Sequence, residues 1–573
     1  MTDDQRSIMN INEAIKSAHD NFESGNLEQA EFICKEILKE NPLNADALQL
    51  LGVICYHSNN YDSAIQYFDT SLRLNPDNFE AYYNLGIVLQ EKGDMNKAIT
   101  SYQQAIQLNP GFSDAYYNLG MIFQGKKQLN EAVICYQKAI ILNPLLADAY
   151  NNLGVIVKET GQIEEAISYY QKAIEVDPYF ADAYNNLGNV IREKKQHDKA
   201  IFYYRKALEL NPNFVDAYIN LGNVLQEKNN LDNALECFQK AILLNPENAD
   251  AHWNKSLAFL LSGNYKEGWK EYEWRLKVKD FLYLHRDFPR PVWDGSDITG
   301  KTILLHAEQG FGDTIQFIRY APLVREKGAK VIVECQKELA PLMRNIEGIH
   351  RLIVRSEQLP EFDLHYPLLS LPLQFDTTLE SIPAKIPYIS ADKQLIKKWR
   401  EKVLPDNSKL KVGIVWSGNP DNIKIRSKSC SLEAYSPFAD LDDVTFYSLQ
   451  KGKAAEQVKH TPAGMKLIDY TEELKDFADT AALIENLDLV ISVDTAVAHL
   501  AGALGKPVWT LLPFAPDWRW MLQREDSPWY PSMRLFRQSP LGEWQSVIAR
   551  ITKELKVLLH HAFNLNHPQK NDM

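Results

Sequence analysis

The sequence is poor in cysteine, and its six cysteines lie far apart in a chain of 573 residues. They lack the spacing of a metal site or of a disulfide framework, so we expect buried thiols in a reducing cytosol. The sequence opens without a basic and apolar leader and has no run of about 18 apolar residues, so we expect a cytoplasmic chain without a membrane span. A formal net charge of -13 argues against nucleic acid as a partner.

The length and the periodicity of the sequence predict a modular chain. At 573 residues it is too long for a single hydrophobic core. Proline recurs with a spacing of 34 residues without insertion or deletion, and glycine, alanine and aromatic residues keep the same register. The prolines are Pro42, Pro76, Pro110, Pro144, Pro178, Pro212 and Pro246.

Each repeated unit has the pattern of two helices, as in AYYNLGIVLQEKG followed by NKAITSYQQAIQLNP. Glycine and alanine stand where the two helices must approach each other closely, and proline ends the second helix. This is the tetratricopeptide pattern, which predicts about eight repeats with atypical members at both ends.

A series of asparagines keeps the same period, two residues before each repeated glycine position. Core packing does not require an amide there, and asparagine is a mediocre helix former. Each side chain offers a donor and an acceptor that can bind an extended peptide backbone, although hydrogen bonding between repeats is an alternative interpretation. The asparagines are Asn84, Asn118, Asn152, Asn186, Asn220 and Asn254.

The second half of the sequence alternates apolar runs with helical segments. KTILLHAE, AKVIVECQ and HRLIVRS form a first series of predicted strands, and KVGIVWSG, VTFYSLQ, LDLVISVD and PVWTLLP form a second series after LPDNSK. Such alternation is typical of α/β folds. We therefore expect two Rossmann-like lobes that meet across a cleft.

The segment HAEQGFGDTIQF follows the first predicted strand and partly resembles a dinucleotide fingerprint, with Gly310 and Gly312 but no third glycine. Asp313 stands where a helix would receive a pyrophosphate, and its charge would repel one. A general base is therefore the preferred interpretation, with a plain helix cap as the alternative. His306, which ends the strand, is a rival base or simply a strand-end residue.

The segment ISVDTAVAHLAGALGKP follows a predicted buried strand of the second lobe. Asp494 and Thr495 are expected to cap a short helix, which Gly505 ends. The exposed N–H groups of the helix and its dipole suit a diphosphate. His499 lies one turn inside and could give a proton or a hydrogen bond to a phosphate.

Residues 301–556 resemble the heptosyltransferase-like glycosyltransferases of family 9, which have the B-type fold. The whole chain is similar to bacterial repeat-plus-glycosyltransferase proteins analogous to O-GlcNAc transferase, whose repeat groove holds acceptor protein. By this resemblance, Asp313 in GFGDT matches a Gly-Asp general base. Asp494, Thr495 and His499 match a D-T-G-x-x-H diphosphate motif, in which Ala496 replaces the glycine.

Further donor contacts are expected around the second lobe and beside Asp313. The resemblance places a basic residue near Arg426, with Lys428 as an alternative, after the loop Ser417-Gly418-Asn419. Gln450, at the end of SLQ, is a candidate contact of the nucleotide base. Gly312 completes the predicted donor site from the side of the first lobe.

Five segments summarise the predicted organisation. An all-α tetratricopeptide superhelix covers residues 1–280, and a linker covers 281–300. An acceptor-side Rossmann-like lobe covers 301–405, a nucleotide-sugar lobe covers 406–560, and a tail covers 561–573.

The resemblance implies an inverting, metal-independent glycosyltransferase that moves a sugar from a nucleoside-diphosphate donor to a hydroxyl of a protein acceptor held by the repeats. Neither a metal nor a cofactor is expected beyond the nucleotide sugar, and oligomerisation through the repeats is left open. Two alternatives stay open at this stage. One is an inactive repeat scaffold that senses a nucleotide sugar, and the other is an enzyme acting on glycan or lipid that uses the repeats only for assembly.

Overall fold

The computed structural model of the chain describes residues 3–284, 286–419, 428–539 and 542–566. In this part of the chain, no helix is both long and apolar enough to cross a membrane. The chain divides into two compact units, Met1–Ala217 and Tyr218–Met573. The last predicted repeats, which follow Ala217, therefore belong to the same compact unit as the α/β half.

The first half of the chain consists of consecutive antiparallel helix pairs, as the predicted all-α fold requires. Its helices are α1 Asp3–Glu23, α2 Leu27–Glu40, α3 Ala45–His57, α4 Tyr61–Leu74, α5 Phe79–Glu91, α6 Met95–Leu108, α7 Ser113–Gly125, α8 Leu129–Leu142, α9 Ala147–Glu159, α10 Ile163–Val176, α11 Ala181–Glu193, α12 His197–Leu210, α13 Val215–Glu227, α14 Leu231–Leu244, α15 Ala249–Ser262 and α16 Tyr265–Tyr272.

The repeated glycines allow the two helices of a pair to touch. A Cβ added to Gly154 of α9 would lie 2.6 Å from Cε1 of Tyr170 of α10, which is closer than carbon atoms approach without a bond. Tyr170 and the repeated alanine Ala166 are both buried. The predicted close approach of the two helices is therefore confirmed.

The second unit joins its own repeat helices to the α/β half through aromatic side chains. Trp269 of α16 donates from Nε1 to the carbonyl of Thr377 at 3.0 Å, and Trp529 donates to the hydroxyl of Tyr265 at 3.1 Å. The ring of Trp518 lies edge-on to Trp269, with 5.2 Å between the ring centroids. Since all three tryptophans are buried, α15 and α16 are part of the same hydrophobic core as the sheets.

The α/β half contains two sheets whose strands all run parallel. The first sheet has the order β3-β2-β1-β4, and the second has the order β10-β9-β8-β5-β6-β7. The strands are β1 Thr302–His306, β2 Lys330–Cys335, β3 Arg351–Val354, β4 Leu364–Pro367, β5 Leu410–Val415, β6 Val444–Ser448, β7 Leu467–Asp469, β8 Leu489–Val493, β9 Val508–Leu512 and β10 Met533–Arg537.

Short helices connect these strands, as parallel pairing requires. The α-helices are α17 Phe311–Phe317, α18 Ala321–Glu326, α19 Ala340–Met343, α20 Leu371–Gln374, α21 Lys393–Val403, α22 Phe477–Glu485, α23 Ala496–Ala503 and α24 Gln545–Asn566. The 3₁₀ segments of this half are Ile318–Tyr320, Leu368–Ser370, Leu432–Asp440, Lys453–His460 and Trp518–Trp520, and Glu273–Leu276 and Lys279–Leu284 precede it.

The strand order of each sheet reverses at one point. In the first sheet β1 lies between β2 and β4, and in the second sheet β5 lies between β6 and β8. In parallel α/β sheets, ligands bind outside the carboxyl ends of the strands at such reversals. The loops after β1, β5 and β8 are therefore the places where a binding site is expected.

Candidate functional site

A cavity of about 750 Å³ is lined by the loops that follow β1, β5, β6 and β8. These loops come from both sheets of the second unit, so the cavity lies where the strand order predicts a site. Most of the residues predicted from the sequence line it, namely Gly312, Asp313, Ser417, Gly418, Asn419, Gln450, Asp494, Thr495, Ala496 and His499.

Asp313 is the third residue of α17 and presents its two carboxylate oxygens to different groups. Oδ2 accepts a hydrogen bond from the N–H of Gly310 at 2.9 Å, which caps the helix. Oδ1 faces Nη2 of Arg519 at 2.5 Å. Burial raises the pKa of the Asp313 carboxyl above its usual range, although the Arg519 guanidinium opposes that rise. The cap therefore uses one oxygen, and the other lies among charged groups of the cavity.

A chain of alternating charges continues from Asp313 through the cavity. Arg519 also contacts Asp517 at 2.9 Å, and Lys428 lies 3.6 Å from Asp517 and 2.7 Å from Asp494. Burial by itself would lower the pKa of Lys428, but Asp494 and Asp517 outweigh it and raise that pKa. Both cations therefore stay charged at neutral pH.

The start of α23 supplies backbone donors to the cavity. Thr495 occupies the N-cap position, but the prediction that its side chain caps the helix is wrong, because its hydroxyl contacts Ser492 Oγ at 3.0 Å instead. The Asp494 carboxylate does not cap the helix either, since it pairs with Lys428. The N–H groups of Ala496 and Val497 have no acceptor within the helix and line the cavity.

His499 is buried in α23 and is neutral at physiological pH. Burial, followed by the nearby Arg519, lowers the pKa of its imidazole to about 3. Its Nδ1 lies 2.9 Å from the Tyr530 hydroxyl, and its Nε2 lies 4.0 Å from Asp494 Oδ1. When Tyr530 donates to Nδ1, Nε2 carries the ring proton and is a hydrogen-bond donor. Of the two predicted roles, proton donation from an imidazolium does not fit, whereas hydrogen bonding does.

Gly312 allows α17 to approach α23. A Cβ at this position would lie 2.9 Å from His499 Cδ2 and 3.6 Å from Ala496 Cα. His499 cannot easily move away, because it contacts the Tyr530 hydroxyl and stacks on Trp520. The absence of a side chain at Gly312 thus brings Asp313 close to the helix start.

We expect Gly312→Ala to separate α17 from α23 by overpacking. The free energy of unfolding should fall by about 1–3 kcal/mol, and nucleoside-diphosphate affinity should fall with it. Denaturant unfolding and calorimetry measure the two effects. His499→Ala removes the clashing ring, so the double variant should be no less stable than His499→Ala alone. Additive losses in the double variant would contradict the steric explanation.

The loop after β5 is held by Gln450, which has a different role from the predicted base contact. Gln450 Oε1 accepts from the N–H groups of Trp416 and Ser417, at 3.2 and 2.9 Å. Its Nε2 donates to the carbonyls of Ser417 and Lys451, both at 2.9 Å. Since backbone groups use the whole of the buried side-chain amide, the Gln450 side chain shapes the cavity wall and has no capacity left for a nucleotide base.

Of the two further predicted residues, Arg426 lies outside the described residues. His306 lines a separate cavity of about 180 Å³, where its Nε2 is 3.3 Å from His365 Nδ1. Burial, followed by His365 and Arg286, lowers the pKa of His306 to about 3. The two candidate bases are therefore in different places, and only Asp313 lies beside the helix start.

The asparagine series is half-buried on the first helices of consecutive repeats, and several of its amides form bonds between repeats. Asn118 donates to the Tyr83 hydroxyl at 3.2 Å, and Asn186 donates to Asn151 Oδ1 at 3.0 Å. Asn152 donates to the Tyr136 hydroxyl of the preceding repeat at 3.3 Å. Hydrogen bonding between repeats, the alternative interpretation, therefore occurs in the structure. It leaves fewer free amide donors and acceptors for a peptide.

Sequence reasoning missed Arg519 and Asp517 as site residues. Both belong to DWRW, which lies outside the predicted site motifs. Trp518 and Trp520 are buried, whereas Asp517, which precedes this 3₁₀ turn, and Arg519, which lies between the two tryptophans, line the cavity. The alternation of charged and aromatic residues in DWRW is the sequence feature that could have indicated these two site residues. Lys428 had been considered only as an alternative to Arg426.

The repeats and the second lobe both match known protein families. Tetratricopeptide-repeat models match residues 21–86, 79–112, 113–144, 147–180, 181–214 and 215–248. Residues 444–533 match glycosyltransferase family 9 (heptosyltransferase). The chain thus contains tetratricopeptide repeats and a segment that matches family 9 glycosyltransferases, as the sequence predicted.

A curated relative and several solved structures share parts of the chain. Protein FlbA of Caulobacter vibrioides is 26% identical over 324 residues, which cover 53% of this chain and only 54% of FlbA. MamA is 32% identical, with 28% of this chain and 94% of MamA covered and a TM-score of 0.27. YrrB, described as a TPR protein with an unusual peptide-binding site, is 26% identical, with 33% and 98% covered and a TM-score of 0.29.

Proposed function

We propose that the protein is an inverting glycosyltransferase that moves a sugar from a nucleoside-diphosphate donor to a hydroxyl of a protein acceptor. The observation that carries the proposal is the cavity in which Asp313 lies beside the start of α23 and near two cations, the half-buried Lys428 and the buried Arg519. The family 9 match supports it, because residues 444–533 include the start of α23 and the segment containing Arg519.

In the proposed reaction Asp313 acts as the general base. It takes the proton of the acceptor hydroxyl while that oxygen attacks the anomeric carbon of the donor sugar. The bond from the anomeric carbon to the diphosphate oxygen breaks, and its electron pair leaves with the nucleoside diphosphate. A single displacement of this kind inverts the anomeric centre.

The negative charge that develops on the leaving diphosphate requires fixed donors. The N–H groups of Ala496 and Val497 face the cavity, and Lys428 holds its charge there. His499 adds a neutral N–H donor when Tyr530 donates to its other nitrogen. Such preorganised groups stabilise a transition state without reorganising during the reaction.

The same charges explain why the proposed reaction is metal-independent. Asp494 and Asp517, which could otherwise hold a divalent cation, are paired with Lys428 and Arg519. The positive charge that a metal would bring to the diphosphate is thus supplied by side chains.

Thermal unfolding of the full chain with UDP-, GDP-, ADP- and CMP-sugars, each in excess EDTA, tests the proposed donor site. A donor at a hundred times its Kd should stabilise the fold by about 2.7 kcal/mol, whereas the corresponding nucleoside monophosphate should stabilise it much less. If no sugar nucleotide stabilises the chain, or if stabilisation requires Mg²⁺ or Mn²⁺, the proposed metal-free diphosphate site is wrong.

The repeats are proposed to hold the acceptor protein. Asn84, Asn118 and Asn152 recur at the same position of successive first helices and are half-buried, so they are reachable from the surface. Amides repeated at fixed spacing suit the repeated donors and acceptors of an extended backbone. The asparagines would then bind the acceptor in addition to packing between repeats.

We expect the triple variant Asn84→Ala, Asn118→Ala, Asn152→Ala to lose affinity for a whole-protein acceptor. Each lost hydrogen bond removes about 1 kcal/mol, so KM for that acceptor should rise about 10- to 100-fold. A short peptide acceptor should be affected much less. The melting temperature should fall modestly, since bonds such as Asn118 to Tyr83 are lost as well.

A matched control replaces three exposed amides that share one position of the second helices, Gln103→Ala, Gln137→Ala and Gln171→Ala. This variant should keep wild-type KM for both acceptors. If the asparagine variant changes both acceptors equally, or neither, the asparagines are purely structural.

A further inference from the structure

The guanidinium of Arg519 connects two carboxylates of the cavity. Its Nη2 contacts Asp313 Oδ1 at 2.5 Å, its Nη1 contacts Asp517 Oδ1 at 2.9 Å, and its Nε donates to Gln316 Oε1 at 2.5 Å. The side chain is 7% exposed and stacks on Trp518, with 4.4 Å from Cζ to the ring centroid. Asp517 lies two residues away in the same short segment, so it is a local anchor, whereas Asp313 belongs to α17.

Within the described part of the chain, three carboxylates of the cavity are paired with two cations. Asp313, Asp494 and Asp517 share Lys428 and Arg519, and Asp517 lies within 3.6 Å of Lys428 as well as beside Arg519. A diphosphate would bring further negative charge into this cluster. Its oxygens must therefore compete with carboxylates for the same cations.

Of its two carboxylate partners, Arg519 can separate more easily from Asp313 than from Asp517. Asp517 is held by both cations, and together they lower the pKa of its carboxyl although burial acts in the opposite direction. Among the described residues, Arg519 is the one cation in contact with Asp313, and Asp313 keeps its helix-capping bond to Gly310 without it. Rotation of the guanidinium about the Asp517 contact would turn Nη2 from Asp313 towards the cavity.

We propose that the donor diphosphate takes Arg519 from Asp313, so that the general base is released only when the donor is bound. The inference rests on the proposed function and makes Arg519 a diphosphate ligand as well as a gate on the base. While paired with Arg519, the Asp313 carboxylate accepts a proton poorly. Once the guanidinium contacts the phosphate, burial and the nearby Asp517 act on Asp313 with less opposition and its pKa rises, which favours removal of the acceptor proton.

Inorganic pyrophosphate is the probe, because it carries a diphosphate without nucleoside or sugar. Calorimetry on the full chain compares wild type, Asp313→Asn, Arg519→Gln and the double variant at one pH. Asp313→Asn should bind pyrophosphate more tightly than wild type, by about 5- to 150-fold, since Arg519 no longer has to leave a carboxylate. In the Arg519→Gln background the same replacement should give a gain at least fivefold smaller.

Two results would overturn the exchange. If Asp313→Asn leaves pyrophosphate affinity unchanged or weakens it, Arg519 is not shared between base and phosphate. If the gain is equal in both backgrounds, it reflects only the loss of a nearby negative charge. Should Arg519→Gln fail to fold, Arg519→Lys enters the same cycle, because lysine keeps the charge but not the fork that contacts two carboxylates together.

The binding cycle separates this inference from the proposed function. Pyrophosphate binding requires no sugar transfer, so the cycle can fail while Asp313→Asn still abolishes transfer, and the glycosyltransferase proposal would then stand without the gate. Failure of pyrophosphate to bind wild type at all would contradict both.

Discussion

Replacement of Asp313 by asparagine is expected to lower sugar transfer about 100- to 10,000-fold, the usual effect of removing a positioned general base. Asparagine keeps the size of the side chain and can still accept the capping bond from Gly310, so the fold should be retained. The amide cannot accept the hydroxyl proton. Single-turnover transfer with saturating donor measures the effect on the chemical step.

The matched control is Asp442→Asn, an exposed carboxylate next to β6 that should leave transfer unchanged. A fully active Asp313→Asn enzyme would remove Asp313 from the mechanism. His306 would then have to be reconsidered, although it lies in the other cavity and its pKa is lowered to about 3.

The pH dependence of transfer should report the same carboxylate. A general base works when deprotonated, so the rate falls as pH drops through the pKa of Asp313. Burial raises that pKa, and the acid limb of kcat/KM should therefore lie above the ordinary range of an aspartate. The limb should disappear from the residual activity of Asp313→Asn.

Replacement of Lys428 by glutamine is expected to lower transfer about 100- to 1,000-fold, the usual effect of removing one preorganised donor from developing charge. Lys428 holds its positive charge beside Asp494 at the start of α23, where the leaving diphosphate is proposed to lie. Glutamine can still hydrogen-bond to Asp494, which limits the penalty of a buried unpaired carboxylate. Single-turnover rates and calorimetric diphosphate affinity measure the loss.

Charge and position can be separated with two further variants. Lys428→Arg should recover part of the activity, because the positive charge is kept. Lys459→Gln removes an exposed lysine of the same lobe and should change nothing. Equal activity in Lys428→Gln and wild type would mean that other groups hold the diphosphate.

The repeats could be predicted from sequence because their information is local and periodic. Gly154 and Tyr170 are 16 residues apart, and the repeats that carry this glycine use the same pair of positions for the same close contact. The central strands were also predictable, because a strand such as β8 is buried along its whole length and reads as one apolar run.

The strands that sequence reasoning missed carry polar residues or are very short. β4 contains His365, β7 has only three residues, and β10 has the half-buried Arg534 and Arg537 on either side of a pair of apolar residues. β4 matters for the site, because its pairing with β1 places His365 beside His306 and separates that histidine from Asp313. This register cannot be read from either segment alone.

The site was only partly predictable because its contacts join distant segments. Asp313 and Arg519 are separated by 206 residues, and no local motif announces their ion pair. Gln450 was predicted to contact the ligand because it follows a strand, but its side-chain amide forms hydrogen bonds with the backbone of the loop after β5. Motifs thus located the loops of the cavity, while the pairing of charges required the three-dimensional structure.

The proposed sugar transfer is tested most directly by following donor and acceptor together in one reaction. Full-length enzyme, a stabilising sugar nucleotide and a protein acceptor are incubated in EDTA, with released nucleoside diphosphate followed by ³¹P NMR and acceptor mass by mass spectrometry. The wild-type enzyme is expected to release one nucleoside diphosphate for each sugar added to the acceptor. The Asp313→Asn enzyme is expected to be much slower in both diphosphate release and sugar addition. Diphosphate release without any gain in acceptor mass, or equal transfer by the two enzymes, would contradict the proposed transfer.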